Sequence, residues 1–102
     1  MSSTNDSGRF DNDTSEALTL HDDPFVHVRL LKCANVAKEF NLTQREQDIL
    51  WYLSKGRSAR YIAEELHVGE QTVRTHTNHI YNKLGIHKRQ QLIDLVENTP
   101  KF

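Results

Sequence analysis

Apolar positions in this chain recur every three or four residues in five separate stretches, the period of helices that each bury one stripe, and this predicts an all-α fold. In the first stretch Val26, Leu30, Cys33, Ala37 and Phe40 form the stripe, which predicts a helix from about Pro24 or Phe25 to Phe40. In the second, Ile49, Leu50 and Leu53 follow a Thr43-x-x-Glu46 capping box and Gly56 ends the run. In such a box the hydroxyl and the carboxylate satisfy two backbone N–H groups that a helix start leaves without partners. The third runs from a Ser58 cap to Leu66, with Ile62, Ala63 and Leu66 inward. The fourth, about Glu70 to Leu84, carries Val73, Thr77, Ile80 and Leu84 on one face and Gln71, Arg74, Thr75, Asn78 and Asn82 on the opposite one. The fifth follows a stop at Gly85 and spans about Lys88 to Glu97 or Asn98, with Leu92, Ile93 and Val96 inward and Leu95 outside that stripe.

The third and fourth helices are joined by a tight turn that Leu66 and Val68 flank. His67 stands where such turns often hold glycine, because the position tends to need a positive φ, and histidine is one of the few side chains tolerated there. Ala63 is small where the third helix must approach its partner, and Val73 returns to the same core one turn into the fourth. This is a helix-turn-helix, a unit that places its second helix in the DNA major groove. The outward face of that helix consists of hydrogen-bonding groups suited to base edges. Arg74 can meet guanine O6 and N7, Asn78 can meet adenine N6 and N7, and the Thr75 methyl can touch a thymine methyl.

Four segments stand in order between Leu42 and Asn98: Leu42-Thr43-Gln44-Arg45-Glu46, Tyr61-Ile62-Ala63-Glu64-Glu65-Leu66-His67-Val68, Gln71-Thr72-Val73-Arg74-Thr75-His76 and Asn82-Lys83-Leu84-Gly85-Ile86. Together they resemble the LuxR-type (GerE-like) DNA-binding domain of bacterial transcriptional regulators. The resemblance implies a four-helix domain, here with one extra N-terminal helix, that binds double-stranded DNA sequence-specifically and regulates transcription. It assigns base contacts to Arg74, Thr75 and Asn78 and phosphate contacts to Thr72 and Lys83. Gln71, on the same outward face, and Arg89, in the basic stretch beside it, complete the candidate DNA-binding set. In the family the last helix pairs two domains on a palindromic site, which points to Leu95, with Gln91 beside it, as the contact of a dimer formed on DNA. RNA polymerase is a further expected partner.

The chain departs from the family pattern at several places. Tyr61 stands where an acidic residue is usual, so the capping box of the third helix is lost. Gly69 replaces a favoured serine, which leaves the cap of the fourth helix to the backbone. Thr77 replaces an aliphatic residue and should slightly weaken the core. Arg74 stands where lysine is more usual, a change that keeps the charge and improves guanine geometry.

Net charge alone points away from nucleic acid, since the 102 residues sum to −1. Divided along the chain, the charge changes meaning. Residues 1–27 hold one basic residue, Arg9, against six acidic ones, whereas the rest of the chain carries twelve Lys and Arg against eight Asp and Glu. Between Lys55 and Arg89 seven basic residues face three acidic ones, which concentrates positive charge around the proposed reading helix as a phosphate-binding surface requires. The surplus is modest, so a single copy should bind DNA weakly.

Residues 1–24 are rich in Ser, Thr, Asn and Asp and lack periodic apolar residues, too little buried area to offset the entropy of ordering. They read as a disordered acidic tail or linker, with residues 25–102 as the DNA-binding domain. No second domain fits in this length. A single cysteine excludes an internal disulfide and suits a reducing compartment, and neither a signal peptide nor an apolar run of membrane-spanning length is visible. The expected location is the cytoplasm, without membrane contact in this segment.

The residues that could carry other chemistry are few. Cys33 lies in an apolar stripe with no acid–base partner nearby, so it reads as a small buried hydrophobe. His76 and His79 are three apart on one helix, but two imidazoles alone make a poor metal site, and His76 matches a position that is histidine in the family without any metal. No catalytic residue, metal or cofactor is expected. Two alternatives to the regulator reading use the same helices: promoter reading by a sigma factor, which requires core RNA polymerase, and docking against a partner protein, which requires no DNA at all.

Overall fold

The computed structural model describes residues 25–100, and the expected tail over residues 1–24 lies outside them. The described residues form five helices without a strand: α1 (Val26–Glu39), α2 (Gln44–Ser54), α3 (Ala59–Leu66), α4 (Glu70–Leu84) and α5 (Arg89–Asn98).

The local signals at the helix ends act as their chemistry dictates. Glu46 N–H donates to Thr43 Oγ1 at 3.1 Å and Thr43 N–H donates to Glu46 Oε1 at 2.9 Å, so both halves of the α2 capping box are made. Ser58 Oγ accepts from Tyr61 N–H at 3.1 Å and caps α3. His67 ends α3 in the left-handed region at φ 58°, where Val68 N–H can donate back to the Ala63 carbonyl. Gly85 closes α4 at φ 70°. Asn41, at φ 58°, makes the corresponding turn after α1.

The helix α2 lies at the centre of the molecule, with α1, α4 and α5 packed around it and α3 packed on α4. Ile49 and Leu50 of α2, Ile62 of α3, Val73 and Ile80 of α4 and Leu92 of α5 are fully buried in one continuous core. Leu66 is only half-buried, packed against that core from its edge. Thr77 costs the interior little, because it is half-buried and its hydroxyl donates to the Val73 carbonyl at 2.8 Å.

The extra helix α1 differs from its sequence reading. Leu30 is 40% exposed, whereas Val36, outside the expected stripe, has no exposure. The reason is that α1 lies across two helices: it rests on α2 and also on α5, which rotates its buried line onto Val26, Cys33, Val36 and Ala37. Leu30 is left at the rim, beside Trp51 and Tyr52, which α1 covers only in part. Phe40 falls one residue beyond the helix and is half-buried against the core.

Polar side chains of α1 tie the ends of its neighbours. Arg29 Nη1 donates to the Ser54 carbonyl at the end of α2 at 3.2 Å, Lys32 Nζ to the Glu97 carbonyl at 2.7 Å, and Asn35 Nδ2 to the Pro100 carbonyl at 2.8 Å. Cationic donors suit the carbonyl end of a helix, where partial negative charge accumulates. Cys33 sits beneath them, 3.9 Å from Ser54 Oγ. Burial pushes its thiol up despite the Ser54 contact and the nearby Arg29 charge, as befits an inert packing residue.

Candidate nucleic-acid interface

Helix α4 has three sides, each with its own chemistry. Val73, Ile80 and Leu84 are buried. Gln71, Arg74, Thr75, Asn78 and Asn82 are all exposed on the opposite face. Between these, at helical spacing, Thr72, His76, His79 and Lys83 form a flank, of which the last three gather around Glu46 at the start of α2.

The exposed side forms the floor of a shallow hollow. Gln71, Arg74 and Asn78 line it together with Arg89 at the start of α5 and Ala59 at the start of α3. Four of the seven sequence-predicted DNA-binding residues therefore converge on one concave surface. Thr75 is exposed further round the same helix face, and Thr72 and Lys83 belong to the flank. Arg89 Nη1 donates to the Arg57 carbonyl at 2.6 Å, which ties the α2–α3 loop to α5. Arg57 itself lies over the Tyr61 ring, 5.0 Å from its centroid.

Arg74 carries an ion pair with Glu70, Nη2 to Oε1 at 2.8 Å, with both side chains about half exposed. Such a pair one turn apart is worth about 0.3–0.5 kcal/mol, so Arg74 can leave it for a base or phosphate at small cost.

Lys83 is held differently. Its ammonium donates to Glu46 Oε1 at 2.8 Å and to the Asn41 carbonyl at 3.3 Å. Only 4% of the Glu46 side chain is exposed, against 36% of Lys83. Burial alone would raise the Glu46 carboxyl, but the Lys83 and Thr43 hydrogen bonds, with the Lys83 charge, outweigh it and hold the group below its ordinary value. A residue that the sequence suggested as a phosphate contact is thus also the counter-ion of a buried carboxylate. Glu46 was legible as a capping residue; its pairing with Lys83 carries no local signal.

The same carboxylate reaches both flank histidines. His79 Nδ1 lies 3.8 Å from Glu46 Oε2, and His76 Nδ1 is buried without a hydrogen-bond partner among the described residues. The sequence brings His76 and His79 together but not the third group, which comes from another helix.

The proposed dimer contacts are largely occupied within the chain. Leu95 is half-buried against the core, and Gln91 Oε1 accepts from His87 N–H at 2.8 Å and Lys88 N–H at 3.0 Å, which caps α5. The extra helix α1 also covers part of α5.

A helix-turn-helix with this flanking helix order defines a class of DNA-binding domain, and the comparisons place the chain within it. The family described as bacterial regulatory proteins, luxR family, matches residues 40–96, more than half of the chain. The chain belongs to that family, and its helix-turn-helix is a LuxR-type DNA-binding, transcription-regulating domain. It is 44% identical over 54 residues, 53% of its length, to a protein of Mycobacterium tuberculosis (strain ATCC 25618 / H37Rv) that bears the name of an HTH-type transcriptional regulator, of which it covers 6%. It is 39% identical over 69 residues, 67% of its length, to the Fimbriae Z protein of Escherichia coli K12, of which it covers 33%. With the HTH-type transcriptional regulator MalT of Vibrio campbellii the identity is 42% over 57 residues, 56% of this chain and 6% of that protein. The chain therefore spans a third or less of the length of these relatives. No solved structure gives a significant match. No helix among the described residues is long and apolar enough to cross a membrane.

Proposed function

We propose that residues 25–102 form the unit that reads duplex DNA, with α4 in the major groove. The observation that carries this reading is the convergence of Gln71, Arg74, Asn78 and Arg89 on one exposed hollow at the helix-turn-helix. Arg74 and Asn78 are the base readers, with Thr75 and Gln71 beside them. Thr72, Lys83 and Arg89 hold phosphate and set the register of the helix in the groove. Lys83 does so by leaving or sharing Glu46. A cytoplasmic location follows from this role, and contact with RNA polymerase belongs to the same reading.

Two copies on a palindromic site meet through α5, around the rim formed by Leu95 and Gln91. Because both residues already have contacts within the chain, this interface is small and forms only on DNA. Selection of bound sequences from random duplexes tests the whole reading. It should return inverted half-sites separated by about 10 base pairs, since each α4 must meet the same face of the helix. Recovery of a single unpaired half-site would remove the dimer, and recovery of no preferred sequence would remove base reading.

A further inference from the structure

Glu46, His76 and His79 each bring one ligand atom within 4.8 Å of the other two. Two features of this cluster are unexplained by the packing around it. The His76 Nδ1 atom is buried with no hydrogen-bond partner among the described residues, although a polar atom left so costs about 1–3 kcal/mol. Glu46 Oε1 accepts from both Thr43 and Lys83, whereas Oε2 has His79 Nδ1 beyond hydrogen-bonding distance at 3.8 Å. Two imidazole rings and a carboxylate thus converge, each able to offer one ligand atom to a shared ion.

We propose that Glu46, His76 and His79 form a binding site for a first-row transition-metal dication, with Zn²⁺ the best match. Two imidazoles and one carboxylate are a ligand set that zinc accepts, with a fourth position left for water. Tetrahedral bonds of about 2.0–2.2 Å put the ligand atoms closer together than the resting cluster, so the site must contract. His79 supplies that movement, because its side chain is 56% exposed and can rotate toward Oε2. Glu46 is held in place by the capping box of α2, and His76 is half-buried on α4.

Lys83 is the competitor at this site. Its ammonium on Oε1 repels a dication on Oε2, and the side chain is exposed enough to swing into solvent when the metal enters. Metal binding therefore exchanges one positive charge for two on the α4 flank and frees a lysine beside it. The site does not depend on how α4 meets DNA, so it is tested on the free protein.

The test is titration of the full, chelator-treated chain with Zn²⁺ by calorimetry and with Co²⁺ by visible absorption. One equivalent should bind, and the Co²⁺ spectrum should lack the near-ultraviolet thiolate band, since Cys33 is buried away from the cluster. Loss of even an outer-shell partner commonly weakens metal binding about 10–100-fold, so His79→Asn and His76→Asn should each weaken it by more than tenfold. His87→Asn, at an exposed position off the cluster, should leave it unchanged. His79 is exposed, so its variant keeps the fold, which circular dichroism verifies even where His76→Asn perturbs packing. Lys83→Met should tighten binding by removing the competing charge. No saturable uptake of Zn²⁺, or uptake that His79→Asn leaves unchanged, would overturn the proposal.

Discussion

The Lys83 ammonium lies 2.8 Å from Oε1 of Glu46, so that a half-exposed cation at the end of α4 neutralises a buried carboxylate at the start of α2. Breaking such a pair from the exposed side strands the buried charge. Lys83→Ala should destabilise the domain by about 1–3 kcal/mol, read as a shift in the denaturant midpoint. Unchanged stability would show that water reaches Glu46 freely. Loss of DNA affinity in this variant therefore mixes folding with phosphate contact, and Thr72→Ala, at an exposed position, is the cleaner probe of backbone holding.

The pair also makes the stability of the fold depend on pH. Because the folded carboxyl is held below its ordinary value of 4.5, the ionised form is favoured by the native state. Its stabilising contribution is fully present above that ordinary value and is lost as pH falls through the lower folded one. In metal-free buffer, thermal denaturation followed from neutral pH downward should show the melting temperature of the natural chain falling faster in this acid range than that of Glu46→Gln. Parallel curves would place the acid-sensitive group elsewhere.

The two sides of α1 should respond very differently to charge. Val36→Asp puts a carboxylate into the core beneath α1 and should cost more than about 3 kcal/mol, whereas Leu30→Asp, at the exposed rim, should cost about 1 kcal/mol or less. Equal losses on denaturant titration would mean that α1 packs through the face first read from the sequence.

Binding to duplex DNA should weaken steeply with salt, because phosphates neutralised by Lys and Arg around α4 release their counterions. Affinity measured by fluorescence anisotropy across low to moderate salt checks this. A flat dependence would rule out phosphate holding and favour docking against a protein partner.

The helices, the Thr43–Glu46 capping box and the left-handed turn at His67 were legible because each has a local cause: an apolar period, a hydroxyl three residues before a carboxylate, a residue that accepts positive φ. The exposed face of α4 was legible for the same reason. What escaped is non-local. Val36 and Leu30 are equally apolar, and only the second contact of α1, with α5, decides which is buried. Glu46 announces a helix start, and nothing near it in the chain announces Lys83 or His79 as its neighbours across the fold. Leu95 lies outside the apolar stripe of α5, and only its neighbours in the fold show that it is half-buried against the core.

The most direct test of the central claim, that α4 reads bases through Arg74, is the affinity of Arg74→Ala for a panel of duplexes differing from the selected site by single base pairs. The account predicts that the variant loses about 1–3 kcal/mol on the selected site and no longer discriminates at one base pair, while its preferences elsewhere persist. An equal loss on every duplex of the panel would contradict it and make Arg74 a phosphate contact.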